Sequence, residues 1–426
     1  MTQSRLQYKV LITPLIAKNT YGETLDITAD IDISEFVSEK GIGKIKSQVD
    51  NGDYDFGIFS FTDITLNVIN YSGKFNDESS SYSIFSFRRD LAKIKVQFTD
   101  SYNETTLMFE GIVNDEATRQ DNNKGTVKFK VLSYSSIFNK TKIPAGIISN
   151  GTTLSAAIER ILNLTDIKAI LNFDPINLNV GYDTTIDDGS KFDNKKVKDA
   201  INQLLLASSS ILYIDDSQNM IVTTRSEEGI VHNYFGGFDR FGRENILKIN
   251  KFNNGLQRMF NAIDVNGVSI EDPISINRLG IRTKSLNFDF LTDSNKYQPI
   301  ATRILDDFKF QRTEMEMEVR TKDAKNVSLL DLVTINYTAA YYPANDNEYL
   351  PLYGISKYGQ DNYPLTINPL PIRSNELFKV IGIFEDPKSL KTVLKLRSSG
   401  KALEGGVETL PVYGQAVYGS SIYQAA

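Results

Sequence analysis

The chain has 426 residues, no cysteine, a single histidine and a formal net charge of −6. Without cysteine there is no disulfide, no thiolate nucleophile and no Cys-ligated metal, and one histidine cannot build a histidine metal cluster. The acidic balance argues against a duplex-binding surface, which normally carries a basic excess, and the length predicts two to four domains.

Neither an export signal nor a membrane span is predicted. Residues 1–7 contain no apolar core of the signal-peptide kind, so we expect a protein that is made in a cytosol and is not exported. No stretch of the sequence reaches the roughly eighteen apolar residues that a spanning helix needs.

Residues 1–140 are rich in strand patterns and are predicted to form a first β-barrel domain. An opening strand is expected over 7–16, and the segment 59–68 largely alternates apolar and polar residues over the length of a full strand. A strand at 94–98 and a hairpin over 107–132 complete the unit, which has the size of an ordinary domain.

Residues 141–245 change character and are predicted to form an α+β insert domain. Thr153 precedes an apolar repeat of helical spacing and is suited to cap that helix. A second helix leads into a β-hairpin over 211–224 with an Asp/Asn/Ser turn. The apolar helix positions are Leu154, Ala157, Ile158, Ile161 and Leu162, then Val197, Ala200, Ile201, Leu204 and Leu205.

Residues 246–400 return to strands and are predicted to form a second β-barrel domain. One helix interrupts them, and its acidic pair Asp306-Asp307 is expected to face solvent. The segment Glu314–Val319 alternates strictly, which is typical of a half-exposed strand. The apolar face of the helix consists of Ile300, Ile304, Leu305 and Phe308.

One strand pattern occurs twice, in the same order, in the two predicted barrels. Each copy has a strand, then a hairpin whose outgoing strand carries a Gly-Ile step before an acidic turn. Because glycine in a strand often marks the bend of a small barrel, Gly111 and Gly382 are expected at equivalent positions of a duplicated barrel. The paired segments are Asp90–Val96 with Asp331–Tyr337, 109–115 with 380–386, and 127–131 with 393–396.

Tyrosine-glycine pairs mark two segments outside the duplicated pattern. Tyr353 and Tyr358 fall in a loop insert at about 340–374 of the second barrel domain, and Tyr413 and Tyr418 fall in residues 401–426. Tyrosine among small residues suits a binding surface, so these four are candidate assembly-interface residues and 401–426 is a predicted C-terminal interaction tail. That the pairs are merely turn residues stays an open alternative.

The sequence offers no catalytic, cofactor-binding or metal-binding constellation. His232 stands alone beside a polar loop and is expected at the surface. The run Asp187–Ser190 lacks the spacing and the later glutamate of a calcium loop and is expected to be a polar turn. We therefore expect a protein that is not an enzyme.

Four short segments, together with the helix and hairpin at 197–224, resemble the tail hub proteins of tailed phages. These include the baseplate hubs of contractile tails and the N-terminal part of tail-associated proteins in long non-contractile tails. The four segments are Ala301–Leu305, Leu329–Ile335, Phe378–Glu385 and Lys391–Arg397. The resemblance implies a mainly β fold with an α+β insert, in which two related β-barrel domains flank a small mixed domain.

The same resemblance implies a function in the virion tail. A homotrimer would form a pseudo-sixfold ring that joins the tail tube to the tail tip and encloses the DNA channel. Its partners would be other copies of itself and further tail proteins, such as a tail tube, a distal tail ring, or a tip or spike protein. Neither specific nucleic-acid binding nor a membrane span is implied, and assembly would take place in the host cytoplasm. The alternative is a carbohydrate-binding or adhesin module of a viral or cell surface.

Overall fold

The computed structural model of the chain describes a set of separate stretches in which strand predominates over helix, as the predicted fold class requires. None of the helices within them is long and apolar enough to cross a membrane. The described residues are 7–13, 30–49, 57–61, 63–70, 92–99, 104–121, 123–168, 170–214, 218–224, 230–237, 244–253, 258–310, 312–340, 366–367 and 376–402.

The first part of the chain folds into a curled antiparallel sheet, here called the first half-barrel, whose order is β2-β1-β7-β8-β9-β6-β3. Alternate residues of β6, β7 and β9 are buried, since successive side chains of a strand point to opposite faces. The strands of this part are β1 (Gln7–Thr13), β2 (Ile31–Asp32), β3 (Val37–Ile42), β4 (Ile45–Val49), β5 (Gly57–Phe61), β6 (Ile64–Ile69), β7 (Lys93–Thr99), β8 (Thr105–Asp121) and β9 (Thr126–Ser133).

The middle of the chain is mixed α+β, as predicted. Thr153 caps the helix α2, because its hydroxyl accepts the Ala156 N–H at 3.2 Å. The apolar positions predicted for α2 and α4 are all buried, and β10 and β11 form the predicted hairpin. The elements are α1 (Ser136–Lys140), α2 (Leu154–Leu162), α3 (Thr165–Lys168), α4 (Val197–Ala207), β10 (Ser210–Ile214) and β11 (Met220–Thr224).

The last part contains a second curled sheet, the second half-barrel, and a small α/β unit within it. Short 3-10 turns occur at Ser34–Phe36, Pro175–Asn177, Gly189–Phe192 and Ser294–Lys296. The elements are β12 (Val231–Gly237), β13 (Ile246–Asn253), β14 (Ala262–Val265), β15 (Val268–Glu271), α5 (Pro273–Leu279), β16 (Thr283–Leu286), α6 (Tyr297–Phe308), β17 (Glu314–Arg320), α7 (Thr321–Ala324), β18 (Leu332–Ala340), β19 (Thr366–Ile367), β20 (Glu376–Asp386) and β21 (Lys391–Ala402).

The two half-barrels repeat one strand order. The first pairs its strands as β1-β7-β8-β9-β6-β3 and the second as β12-β18-β20-β21-β17-β13. If the six strands of each set are numbered 1 to 6 in chain order, both sets have the order 1-4-5-6-3-2. The strands β7 and β18, which begin the two copies of the sequence pattern, hold the same place, as predicted. One difference is that β1 runs antiparallel to β7 whereas β12 runs parallel to β18.

The predicted equivalence of Gly111 and Gly382 is wrong. The strands β9 and β21 can be aligned with Ser133 beside Ser398. In this alignment the buried residues of the two strands fall at the same positions. Ser133 pairs with Gly111, but Ser398 pairs with Phe378, so the counterpart of Gly111 is Phe378.

The prediction of an acidic turn directly after Val113 is also wrong. The strand β8 continues to Asp121, the counterpart of Asp386 at the end of β20. Its pairing with β9 is interrupted between Asn114 and Arg119. An irregularity of this kind adds residues to one strand only, so a period-two sequence pattern does not reveal it.

Apolar residues of the described stretches gather in three cores. One fills each half-barrel, and the largest belongs to the middle of the chain. Side chains from β14 and α6, such as Ile263 and Ile304, pack into this largest core together with Ile58, Ile112 and Leu132 of the first part. The small α/β unit therefore packs with the middle segment, and the domain boundaries expected from the sequence stay a prediction.

Candidate assembly site at the joint between the half-barrels

The four candidate interface tyrosines, Tyr353, Tyr358, Tyr413 and Tyr418, lie outside the described residues. Their role in assembly therefore stays a prediction. Within the predicted loop insert, the described strand β19 pairs antiparallel with the end of β18, where Ala339 faces Ile367. The described residues instead bring together a site that the sequence did not predict, at the joint between the half-barrels.

A strand from the first part of the chain joins the second sheet. Although β4 follows β3 directly, it pairs antiparallel with the C-terminal half of β20, with Ile45 opposite Glu385 and Gln48 opposite Gly382. The N-terminal half of β20 pairs with β18. Because an open sheet edge presents unpaired backbone groups, adding β4 satisfies that part of the β20 edge and fixes the two half-barrels to each other.

The neighbouring strand β5 extends this connection into the middle of the chain. It pairs antiparallel with β4 and parallel with β10. The Ile58 N–H donates to Asn202 Oδ1 at 3.2 Å, and the Ile58 side chain is fully buried in the middle core. The strands β4 and β5, here called the bridge strands, therefore link all three parts of the fold.

A hydrogen-bonded pair of a partly buried tyrosine and a buried carboxyl group spans the joint. The Tyr8 hydroxyl on β1 donates to Glu385 Oε1 on β20 at 2.9 Å, across 377 residues of sequence. Glu385 is 2% exposed, and its strand neighbours are Ile45 of β4 and Thr392 of β21. The Tyr8 ring packs against Phe98 of the first half-barrel at a centroid distance of 5.4 Å, so it is held on the first side while it reaches to the second.

Burial dominates the electrostatics of this pair. It raises the pKa of Glu385 to about 7, and the hydrogen bond from Tyr8 offsets only part of that effect. Burial likewise raises the pKa of Tyr8 far above its ordinary value, and the adjacent Glu385 carboxylate adds to the shift. A carboxyl group that changes charge near neutral pH therefore lies between the two half-barrels.

Exposed charges surround the buried pair without neutralising it. Lys44 pairs with Asp386 at 3.5 Å, and the Lys46 ammonium lies 5.9 Å from the centre of the Phe384 ring. Such exposed ion pairs contribute little to stability, typically up to about 1 kcal/mol. They favour the orientation of β4 against β20 more than they strengthen the joint.

A second buried polar cluster lies where the first half-barrel meets the middle segment. Gln218 donates to Glu110 Oε1 at 2.7 Å and accepts from the Lys93 ammonium at 2.5 Å. Burial raises the pKa of Glu110, and the positive charges of Lys95 and Lys93 act in the opposite direction. Because unpaired buried polar groups are strongly destabilising, this network ties the β10–β11 hairpin to the face of β8.

His232 is not the surface residue that the sequence predicts. Its side chain is 18% exposed, and Nε2 lies 2.9 Å from Asp331 Oδ2. The same Asp331 oxygen accepts the Ser328 N–H at 2.8 Å. The pair connects β12 to the residue that precedes β18, which gives it a structural role in holding these parallel strands together.

The acidic run that faintly resembles a calcium loop is a polar turn, as predicted. Asp187 accepts the N–H groups of Thr292 and Asp293, and Asp188 accepts the N–H of Ser190 at the start of a 3-10 turn. Among the residues that the structure describes, no group of three or more His, Cys, Asp or Glu side chains could hold a metal ion.

The sequence contained only a weak signal for the joint. Glu385 belongs to the recurring pattern, but there it was interpreted as part of an acidic turn, and its burial depends on strands that are remote in sequence. Tyr8 lies in a predicted strand with no feature that marks its partner. A charged residue directly after the run Val380–Phe384, which contains no polar side chain, was the available indication.

The fold resembles that of known tail proteins. The tail protein from Neisseria meningitidis MC58 matches with a TM-score of 0.53 and 12% identity, over 92% of this chain and 97% of that one. The prophage tail protein gp18 from Listeria monocytogenes EGD-e matches with a TM-score of 0.50 and 13% identity, over 92% of this chain and 94% of that one. No protein-family model matches the sequence, and a comparison with curated proteins gives no match.

The class that the architecture defines is therefore a tail-protein fold with two half-barrels and a mixed α+β middle. At these identities the likeness is one of fold. It confirms, at that level, the resemblance to tail proteins that the sequence motifs indicated.

Proposed function

We propose that the chain is a structural protein of a phage tail, a hub that assembles as a homotrimer. The carrying observation is that one chain contains the same six-strand order twice, joined by the bridge strands. Three such chains supply six similar half-barrels, and cyclic closure buries surfaces that a monomer leaves exposed. The ring has pseudo-sixfold symmetry and joins the tail tube to the threefold tail tip.

The composition supports a channel for DNA inside this ring. A net charge of −6 repels the phosphate backbone rather than binding it, so DNA passes without being held. The partners in this proposal are other copies of the chain, a tail tube or distal tail ring, and a tip or spike protein. The protein is non-enzymatic, is assembled in the host cytoplasm and resides in the virion tail.

Light scattering of the purified chain tests this proposal. We expect a mass about three times the 47.9 kDa of one chain, and electron microscopy images of a ring with a central channel. A monomer at every concentration, or a particle without a channel, would contradict the hub. Retention on a glycan column by a monomeric chain would favour the adhesin alternative instead.

The tyrosine-glycine segments are proposed to act in assembly and to be dispensable for folding of the half-barrels. Deleting residues 405–426, which include Tyr413 and Tyr418, is expected to leave the thermal midpoint nearly unchanged and to weaken binding to a tail partner. Calorimetry and a pull-down with tail-tube protein measure the two effects. A full-length variant with Tyr413→Ala and Tyr418→Ala is the control for loss of chain length. Equal loss of folding and of binding on deletion would mean that the tail belongs to the core.

A further inference from the structure

The joint between the half-barrels is arranged so that the charge of one carboxyl group can affect whether the joint opens. The Glu385 carboxyl is almost completely buried, and its hydrogen-bond donor, the Tyr8 hydroxyl, belongs to the other half-barrel. Glu385 also stands in the pairing of β20 with β4, directly opposite Ile45. Any movement that separates the half-barrels therefore breaks the Tyr8 hydrogen bond and admits water to this carboxyl at the same time.

The surroundings of Glu385 provide no compensating positive charge among the described residues. On the β4 side Lys44 binds Asp386, while Lys46 lies over the Phe384 ring. The cation at the start of β21, Lys391, binds Glu318 of β17. A charged Glu385 therefore has the Tyr8 hydroxyl as its main stabilising contact.

The remaining neighbours add little charge. Thr321 of α7 is hydrogen-bonded to the Tyr8 hydroxyl and accepts a hydrogen bond from the Thr392 hydroxyl of β21. Both threonines are neutral. The acidic Asp386, next in sequence, adds to the rise of the Tyr8 pKa and so opposes ionisation of Tyr8. In the closed joint an ionised Glu385 carboxylate is poorly solvated, and it becomes hydrated when the joint opens.

We propose that Glu385 makes the joint pH-responsive, so that the half-barrels are held together while its carboxyl is protonated and separate more readily once it ionises. This goes beyond the tail function and applies to the single chain, whatever its assembly state. Opening of the joint releases the Tyr8 hydrogen bond and the pairing of β4 with β20 beside Glu385.

The direction of the pH effect follows from linkage. The carboxyl has a pKa of about 7 in the closed joint and its ordinary value of 4.5 when exposed. The closed form thus binds more protons between these values, and its advantage is complete below the lower value and lost as pH rises to about 7. The equilibrium constant for opening is expected to rise roughly 25-fold between about pH 5.5 and about pH 8, and to level off above neutrality.

Hydrogen exchange of the full chain measures this opening. The reporters are the backbone amides of 45–48 and 382–385, corrected for the intrinsic pH dependence of exchange. Wild type is expected to follow the rise described above, and Glu385→Gln to give a constant opening equilibrium, because a glutamine still accepts the Tyr8 hydrogen bond but does not ionise.

Two further variants separate the effect of Glu385 ionisation from a general loss of stability. Glu316→Gln removes a carboxylate on the same strand β17, whose partner Lys251 lies on β13 and is not among the cations near Glu385, and is expected to keep the wild-type pH response. Tyr8→Phe is expected to raise opening at every pH and to retain the pH response, since burial is the main cause of the raised pKa. A pH-independent opening in wild type, or an equal response in wild type and Glu385→Gln, overturns the proposal. The wild-type measurement decides it even if a variant does not fold.

Discussion

Replacing Ile58 by alanine is expected to lower the free energy of unfolding by about 3 kcal/mol, which is typical of truncating a buried isoleucine. The side chain is fully buried where β5 enters the middle core, and its own N–H is held by Asn202. Because the bridge strands connect the three parts of the fold, Ile58→Ala is also expected to reduce the cooperativity between them. Calorimetry should show one thermal transition in wild type and a broadened or divided transition in the variant.

The matched control for this prediction is Ile176→Ala. Ile176 lies in the middle segment, whose core Ile58 enters, but it is 85% exposed, so its truncation should change stability by less than about 0.5 kcal/mol. A variant Ile58→Ala with the stability and the single transition of wild type would contradict the assignment of β5 as an anchor of the bridge strands.

A second large effect is expected at Gly111. A Cβ atom built there overlaps the Leu132 carbonyl oxygen of β9 and lies 2.7 Å from Phe109 Cζ, and the backbone of a paired strand cannot move away easily. Gly111→Ala should therefore destabilise the first half-barrel by about 3 kcal/mol through overpacking. Chemical denaturation with the tryptophan-free chain can be followed by tyrosine fluorescence or by circular dichroism.

Gly382 provides the internal comparison, because the sequence pattern treats the two glycines as equivalent. A Cβ atom at Gly382 meets side chains only, with Lys395 Cβ and Phe384 Cζ each at 3.3 Å. Gly382→Ala should cost less than about 1 kcal/mol, since the Phe384 ring and the Lys395 side chain can adjust. Similar losses for the two variants would mean that the strand register of β8 against β9 differs from the one described.

Elements with a clear periodicity could be predicted from the sequence. The buried faces of α2, α4 and α6 follow helical spacing, and β17 buries alternate residues between Glu314 and Arg320. These patterns are local, because each depends on residues within one or two turns of helix or a few positions along a strand. The recurrence of three strand segments in one order was also enough to predict a duplicated unit.

Pairing between remote strands was decided by the tertiary structure alone. A period-two pattern states which residues of a strand are buried, but not which edge the strand joins. Nothing in Ile45–Val49 therefore indicates that β4 lies outside the sheet of the first half-barrel and pairs with β20. Equivalent positions of the two half-barrels are defined by strand pairing and not by spacing along the sequence. The interruption in β8 changes that pairing, so Gly111 and Gly382 are not at equivalent positions.

The candidate site depends on the same long-range pairing. Tyr8 and Glu385 are 377 residues apart, and each is unremarkable in its own strand. Glu385 acquires its raised pKa only when β1, β4 and β21 close around it and remove water, which is a property of the assembled joint and not of the local sequence. The sequence by itself therefore determined the elements and their duplication, whereas the tertiary structure determined how the half-barrels meet and which carboxyl group lies buried between them.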